Sequence, residues 1–261
     1  MDLKLAGKLA LVSGSTAGIG HAIATALAAE GARVIVNGRT QAAVDGAIAR
    51  IQPAAGGEVI GFAGDLSTAA AAEALVAAHP GIEILVNNLG IFEPVPFEQI
   101  PDDDWRRFFE VNVLSGVRLS RLVLAGMKAR DWGRIVFISS ESAVQIPTEM
   151  IHYGMTKTAQ LAVSRGLAQL CAGTGVTVNS VLPGPTRSAG VEDFVAALSG
   201  GRPFEDAEQE FFKTARPTSL LRRFATTEEV ANMVTYVCSP LSSATNGAAL
   251  RVDGGVLMSA V

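Results

Sequence analysis

The apolar run Lys8-Leu9-Ala10-Leu11-Val12 enters Ser13-Gly14-Ser15-Thr16-Ala17-Gly18-Ile19-Gly20, which passes into His21-Ala22-Ile23-Ala24-Thr25-Ala26-Leu27-Ala28. This reads as strand, glycine-rich turn and helix. Glycines let the turn bend tightly and approach a pyrophosphate, and the free N–H groups of the helix start offer it partial positive charge. Gly14, Ser15, Thr16, Gly18, Ile19 and Gly20 are therefore candidate phosphate-cradle residues. The Gly-x-x-x-Gly-x-Gly spacing differs from the commonest dinucleotide fingerprint, and the Gly-Lys-Ser/Thr of a triphosphate loop is missing. Strand and helix signals then alternate along the chain without a linker, which predicts a parallel sheet wrapped by helices.

A second constellation lies past the middle. Arg134-Ile135-Val136-Phe137-Ile138 reads as a buried parallel strand with Ser139 and Ser140 at its carboxyl end, where ligands bind in open α/β sheets. Downstream, Tyr153-Gly154-Met155-Thr156-Lys157 places a phenol and an amine four residues apart, on one face of a helix. A cationic neighbour favours the phenolate and can draw a phenol's pKa from about 10 toward neutrality. Tyr153 is then the expected acid/base and Lys157 its electrostatic partner. Ser140 is expected to stabilise charge on the reacting oxygen.

With these motifs in order, the chain resembles the short-chain dehydrogenase/reductase family, in its short single-domain branch. Four further segments carry the resemblance. Asp65-Leu66 is similar to the adenine-contacting element, and Asn87-Asn88-Leu89-Gly90 to the Asn-Asn-Ala-Gly element behind the cofactor. Asn112 is similar to the asparagine that completes the family's Asn-Ser-Tyr-Lys set. Pro183-Gly184 opens the loop that covers nicotinamide. The resemblance implies an α/β fold: one doubly wound, Rossmann-like domain over residues 1–261, with a largely parallel seven-stranded sheet and helices on both faces. It implies cofactor contacts at Asn88, Gly90, Tyr153, Lys157, Pro183, Gly184, Thr186 and Ser188, with Lys157 on the nicotinamide ribose and a water relay at Asn112. It also implies a homotetramer or homodimer, built through helices within 104–130 and 151–174 and through the last strand, 248–252. Ser13 for threonine, Leu89 for alanine and Asn246 for threonine depart from the family pattern, and Leu89 is expected to narrow the cleft near the ribose.

Cofactor choice turns on Val36-Asn37-Gly38-Arg39. An acid at this strand end would bind both ribose hydroxyls of NAD; Gly38 removes it and Arg39 offers a guanidinium to a 2′-phosphate, so NADP is expected over NAD. Ala17, where many NADP enzymes carry a second basic residue, speaks the other way.

The net charge of −4 lacks a basic stripe, which argues against nucleic acid. No apolar stretch reaches the ~18 residues of a spanning helix, and Met1-Asp2-Leu3-Lys4-Leu5 has no secretory apolar region, so a cytoplasmic protein without membrane contact is expected. Cys171, Cys238 and the three histidines form no metal-binding pattern, and the cysteines read as buried small hydrophobes. His152, beside Tyr153, reads as a packing residue.

The expected substrate is a small carbonyl or alcohol. Specificity is expected in 188–217, a loop or lid whose Phe194, Leu198, Phe204, Phe211 and Phe212 line or cover the site. Its acids Glu205, Asp206, Glu208 and Glu210 argue against a long anionic carrier. Val144, Gln145, Ile146, Glu149 and Met150 are also expected to face substrate. The leading reading is an NADP-dependent carbonyl reductase or alcohol dehydrogenase. The alternatives are an NAD-dependent dehydrogenase of a polyol, hydroxy acid or steroid-like alcohol, and a noncatalytic nucleotide-binding protein.

Overall fold

The strands form because apolar, mostly β-branched residues alternate between two faces that are both buried. In a computed structural model that describes residues 1–188, 190–192 and 203–260, β1 (Leu9–Val12) sends Ala10 and Val12 to one face and Leu9 and Leu11 to the other. β2 (Arg33–Gly38), β4 (Ile84–Asn87) and β5 (Gly133–Ile138) repeat the pattern, with Ile35, Leu85 and Phe137 on the second face. A strand buried on both faces reads as a continuous apolar run, and a parallel sheet clothed by helices demands it.

The seven-stranded sheet runs β3-β2-β1-β4-β5-β6-β9, with β3 Val59–Ala63, β6 Val176–Pro183 and β9 Ala249–Val252. Every pairing is parallel. On the first face pack α1 (Gly18–Ala29), α2 (Gln41–Ile51) and α8 (Thr227–Cys238), through Ile23, Leu27, Ile51 and Val234. On the second pack α3 (Ala69–Ala78), α5 (Ser115–Ala129) and α6 (Ile151–Leu170), through Leu75, Leu119, Met127 and Ala168. Burying each large aliphatic side chain stabilises the fold by about 1.5–3 kcal/mol. This is the doubly wound α/β fold expected from the sequence, and its strand order reverses between β1 and β4, the switch point at which such sheets bind ligands.

α4 (Asp102–Phe109) continues through a π-helical turn, Glu110–Leu114, into α5. The wider turn delivers Asn112 to the loop after β4. α7 (Phe204–Thr214) packs Ala207 and Phe212 against Phe224. A two-stranded parallel bridge, β7 (Thr186–Arg187) with β8 (Ala225–Thr226), joins the two ends of the segment that carries α7. Phe194 and Leu198, expected in the specificity region, lie outside the described residues. Among the described residues, no helix is long and apolar enough to cross a membrane and no cluster of potential metal ligands occurs.

Candidate active site

The β1–α1 turn is shaped by hydrogen bonds from neighbouring strands. Ser13 Oγ accepts from the N–H groups of Asn88 and Leu89, both at 3.0 Å, and Asn88 Nδ2 donates to the carbonyls of Ser13 and Gly14. Asn37 Oδ1 accepts from the Gly14 N–H at 3.0 Å, while its Nδ2 donates to Phe62 and Gly64. Asn37 thus ties the glycine turn to the ends of β2 and β3. Gly14 and Gly18 have φ of 60° and 57°, which favours glycine, and a Cβ at Gly20 would sit 2.4 Å from Asn88 Nδ2 and 2.6 Å from the Gly14 carbonyl. The start of α1 has no side-chain cap and no acid in its first turn. Its N–H groups line a cleft whose cradle fits the pyrophosphate of a dinucleotide.

That cleft, about 800 Å³, runs from the glycine turn to the ends of β5 and β6. It brings together Gly14, Gly18, Ile19, Gly20, Asn88, Gly90, Ser140, Tyr153, Lys157, Pro183, Gly184, Thr186 and Ser188. Leu89 also lines it, and its Cδ1 lies 3.4 Å from where a Cβ on Gly14 would be. The remaining expected residues stand off its wall. Ser15 is buried and turned inward, donating to Val12 O and accepting from the Asn37 N–H. Thr16 packs against Gly38, where a Cβ would meet Thr16 Cγ2 at 2.4 Å, so any side chain at the end of β2 would have to shift the Thr16 side chain. Arg39 is exposed and makes no ion pair among the described residues. Asp65 is exposed and accepts from the N–H and hydroxyl of Ser67, and the Leu66 side chain is buried in the core, so any cofactor contact from Leu66 has to come from its backbone.

The expected catalytic residues meet at the other end. Ser140 follows β5, and its hydroxyl donates to Glu141 Oε2 at 2.5 Å while accepting from the Ser142 N–H. Lys157 is buried and Nζ donates to Ile138 O at 2.9 Å, 5.5 Å from the Tyr153 ring centre. Desolvation lowers its pKa to about 8. The expectation that Lys157 draws Tyr153 toward neutrality needs correction, because the chain's own environment acts the other way. Burial pushes the phenol above its ordinary value, and the Glu141 carboxylate raises it further; a hydrogen bond with Ser140 and the Arg216 charge only partly oppose this.

Asn112 is buried behind the cleft. Its side chain accepts from Ile91 N–H and donates to Ile91 O and Thr156 Oγ1, and its backbone carbonyl accepts from Gln160 Nε2. His152 is fully buried against Phe108 and Trp105, as a packing residue should be, and burial lowers its pKa. Cys171 and Cys238 are buried free thiols.

On the substrate side, Glu149, Met150 and Phe211 line the cleft as expected; Phe212 instead packs behind it against Phe224. Val144, Gln145 and Ile146 do not line it: the short helical turn after Ser140 carries them out to solvent. Two charged lining residues were not anticipated. Arg216 donates through Nε to Glu141 Oε1 at 3.1 Å, and its Nη1 lies 3.5 Å from Glu149 Oε1. Glu141 was recognisable as a charge beside Ser140 in an otherwise uncharged run; nothing local pointed to Arg216.

Comparison with known proteins agrees with this geometry. The profile of the Enoyl-(Acyl carrier protein) reductase family matches residues 14–257. The uncharacterized oxidoreductase YvaG of Bacillus subtilis is 51% identical, covering 99% of both chains. The D-beta-hydroxybutyrate dehydrogenase of Cupriavidus necator is 36% identical over 96% of this chain and 98% of its own. The crystal structure of L-sorbose reductase from Gluconobacter frateurii, complexed with NADPH and L-sorbose, superposes with a TM-score of 0.92 at 30% identity, covering 99% of this chain and all of that one. With the doubly wound sheet, the glycine cradle and the serine, tyrosine and lysine on one cleft, the chain belongs to the short-chain dehydrogenase/reductase family of NAD(P)-dependent oxidoreductases.

Proposed function

We propose that the protein is an NADP-dependent oxidoreductase acting on a small carbonyl or secondary alcohol, with Tyr153 as its acid/base. The observation that carries this reading is the meeting of Ser140, Tyr153 and Lys157 on one wall of a cleft that continues to the glycine cradle. A bound reduced nicotinamide supplies a hydride, with its electron pair, to the carbonyl carbon. Tyr153 gives its phenolic proton to the oxygen, which becomes the hydroxyl; in the reverse direction the phenolate takes that proton back. Ser140 would turn its hydroxyl from Glu141 to the same oxygen. Lys157 would hold the nicotinamide ribose, and Asn112, whose side chain is committed to Ile91 and Thr156 and whose backbone carbonyl accepts from Gln160 Nε2, would hold a relay water through that carbonyl's second lone pair.

NADP is favoured by the lack of an acid at Gly38 and by the exposed Arg39 beside it, which makes no ion pair among the described residues. The L-sorbose reductase structure, which contains NADPH, supports the same choice. Parallel titration with NADPH and NADH tests it: NADPH is expected to bind at least about tenfold tighter, and Arg39→Ala to erase most of that margin. Equal affinities would return the choice to NAD. We also propose a homotetramer or homodimer, supported by exposed Phe109, Leu122 and Leu170 on the α4–α6 side and by Leu220 and Met258 near β9. A solution mass near one 27.0 kDa chain would refute it.

A further inference from the structure

The substrate end of the cleft holds an unusual set of charges for a site that reduces a neutral carbonyl. Among the described residues its lining contains two carboxylates, Glu141 and Glu149, and one guanidinium, Arg216; the other lining cation, Lys157, is turned to Ile138 on the cofactor side. Arg216 and Glu141 are nearly enclosed, with side-chain exposures of 11% and 6%. Enclosure strengthens their mutual attraction and makes their separation costly.

The hydrogen bonds decide what this set can accept. Both oxygens of Glu141 are engaged, one by Arg216 Nε and the other by Ser140 Oγ and the Ser142 N–H. Arg216 also donates to Ala215 O, reaches toward Glu149, and lies over Phe211 at 5.8 Å. Arg216 Nη2 is the one guanidinium nitrogen without a polar partner among the described residues, and a substrate carboxylate that reached it would approach two like charges, Glu141 and Glu149. A substrate hydroxyl does not meet that repulsion. The Glu149 carboxylate is 47% exposed and its sole described side-chain partner is Arg216 at 3.5 Å, so it can accept from a hydroxyl without loss.

We propose that Glu141, Glu149 and Arg216 are the specificity determinants of this site, selecting a neutral carbonyl compound that bears a hydroxyl group and excluding its carboxylate counterpart. The inference rests on the reading of the cleft as a carbonyl-reducing site and goes beyond it by naming the substrate's charge and functional group. It separates two kinds of relative: one structure bound to a neutral hydroxyketone, L-sorbose, and one relative named for an anionic hydroxy acid. The charge set sides with the first. Glu141 has a second, positioning role: it holds the Ser140 proton, and Arg216 balances its charge beside Tyr153.

The test compares two ketones of one carbon skeleton, hydroxybutanone with a terminal hydroxymethyl group and acetoacetate with a carboxylate there, under saturating NADPH, with unsubstituted butanone as reference. The parent is expected to favour hydroxybutanone in kcat/KM by about tenfold or more. Glu141→Gln removes a repelling charge and leaves the Arg216 charge unbalanced, and should narrow that preference about tenfold, mainly through KM for acetoacetate. Glu149→Gln should narrow it too and weaken hydroxybutanone. Thermal melting and NADPH titration show whether each variant is folded; if Glu141→Gln is not, the exposed Glu149→Gln decides alone. Parity of the two ketones in the parent, or an unchanged preference in the folded variants, overturns the proposal while reduction of butanone keeps the underlying reading. If NADPH binds and no ketone is reduced, that reading falls and the proposal with it.

Discussion

The two ends of the cleft are built from different materials. At the glycine turn the working surface is backbone: the side chains of Ser13, Asn37 and Asn88 are spent on shaping the turn, and glycines keep the wall open. At the β5–α6 end the working surface is side chain, with a phenol, an amine, a hydroxyl and an ion pair converging from distant parts of the chain. A backbone cradle recognises what every dinucleotide shares. Side-chain charges recognise what distinguishes one substrate from another.

Four substitutions probe that division. Tyr153→Phe should lower kcat by about a thousandfold, within the range of general acid–base catalysis, with NADPH affinity nearly unchanged; near-normal turnover would show that another group moves the proton. Lys157 lies on the border. Its pKa is held at about 8 against 10.5 for an ordinary lysine, so between these values the unfolded chain carries a proton that the folded protein has lost, and stability rises with pH across that window. Below pH 8 the penalty is present in full. Lys157→Met should therefore gain stability relative to the parent by up to about 3 kcal/mol below pH 8, a gain that shrinks as pH approaches 10. Denaturant melts at both ends of the window measure it; a pH-independent difference would mean that the lysine is not desolvated. Tyr153, held above 10, acts with the opposite sign only beyond that range.

Gly20→Ala is the converse of the tyrosine change. Its methyl would drive into Asn88 and the Gly14 carbonyl, costing about 1–3 kcal/mol, and NADPH affinity should fall further than stability. Retained affinity would mean that the cradle tolerates displacement. The smallest effect is expected away from the cleft, at the start of α8. There Thr226 and Glu229 form a capping box, and the Arg223 guanidinium with the Thr226 N–H draws Glu229 down to about 2. Thr226→Ala should cost about 1 kcal/mol in melts without altering either end of the cleft.

The same division explains what the sequence revealed. The glycine turn, β5 with Ser140, and the Tyr153–Lys157 pair are local patterns, in which spacing alone fixes which groups share a turn or a face. The doubly wound sheet was legible for the same reason, since strands buried on both sides leave continuous apolar runs. Partnerships across the chain leave no such trace. Arg216 meets Glu141 from 75 residues away, and its neighbours suggested only a loop. Direction was lost as well as partnership: Val144, Gln145 and Ile146 follow the catalytic serine yet point outward, and Asp65 spends its carboxylate on Ser67. Proximity of Lys157 to Tyr153 was read correctly, but the net effect on the phenol depends on burial and on Glu141, which spacing does not reveal.

The short β7–β8 bridge has a consequence for how such a protein can change. By pinning Thr186–Arg187 to Ala225–Thr226 it fixes both ends of the intervening chain to the frame that carries the cofactor cradle. Closing a longer segment between fixed ends costs only about 0.6 kcal/mol for each doubling of its length. The part of the substrate wall carried on this segment can therefore lengthen or shorten while the opposite half of the cleft stays as it is, and a new specificity need not be accompanied by a new way of holding the dinucleotide.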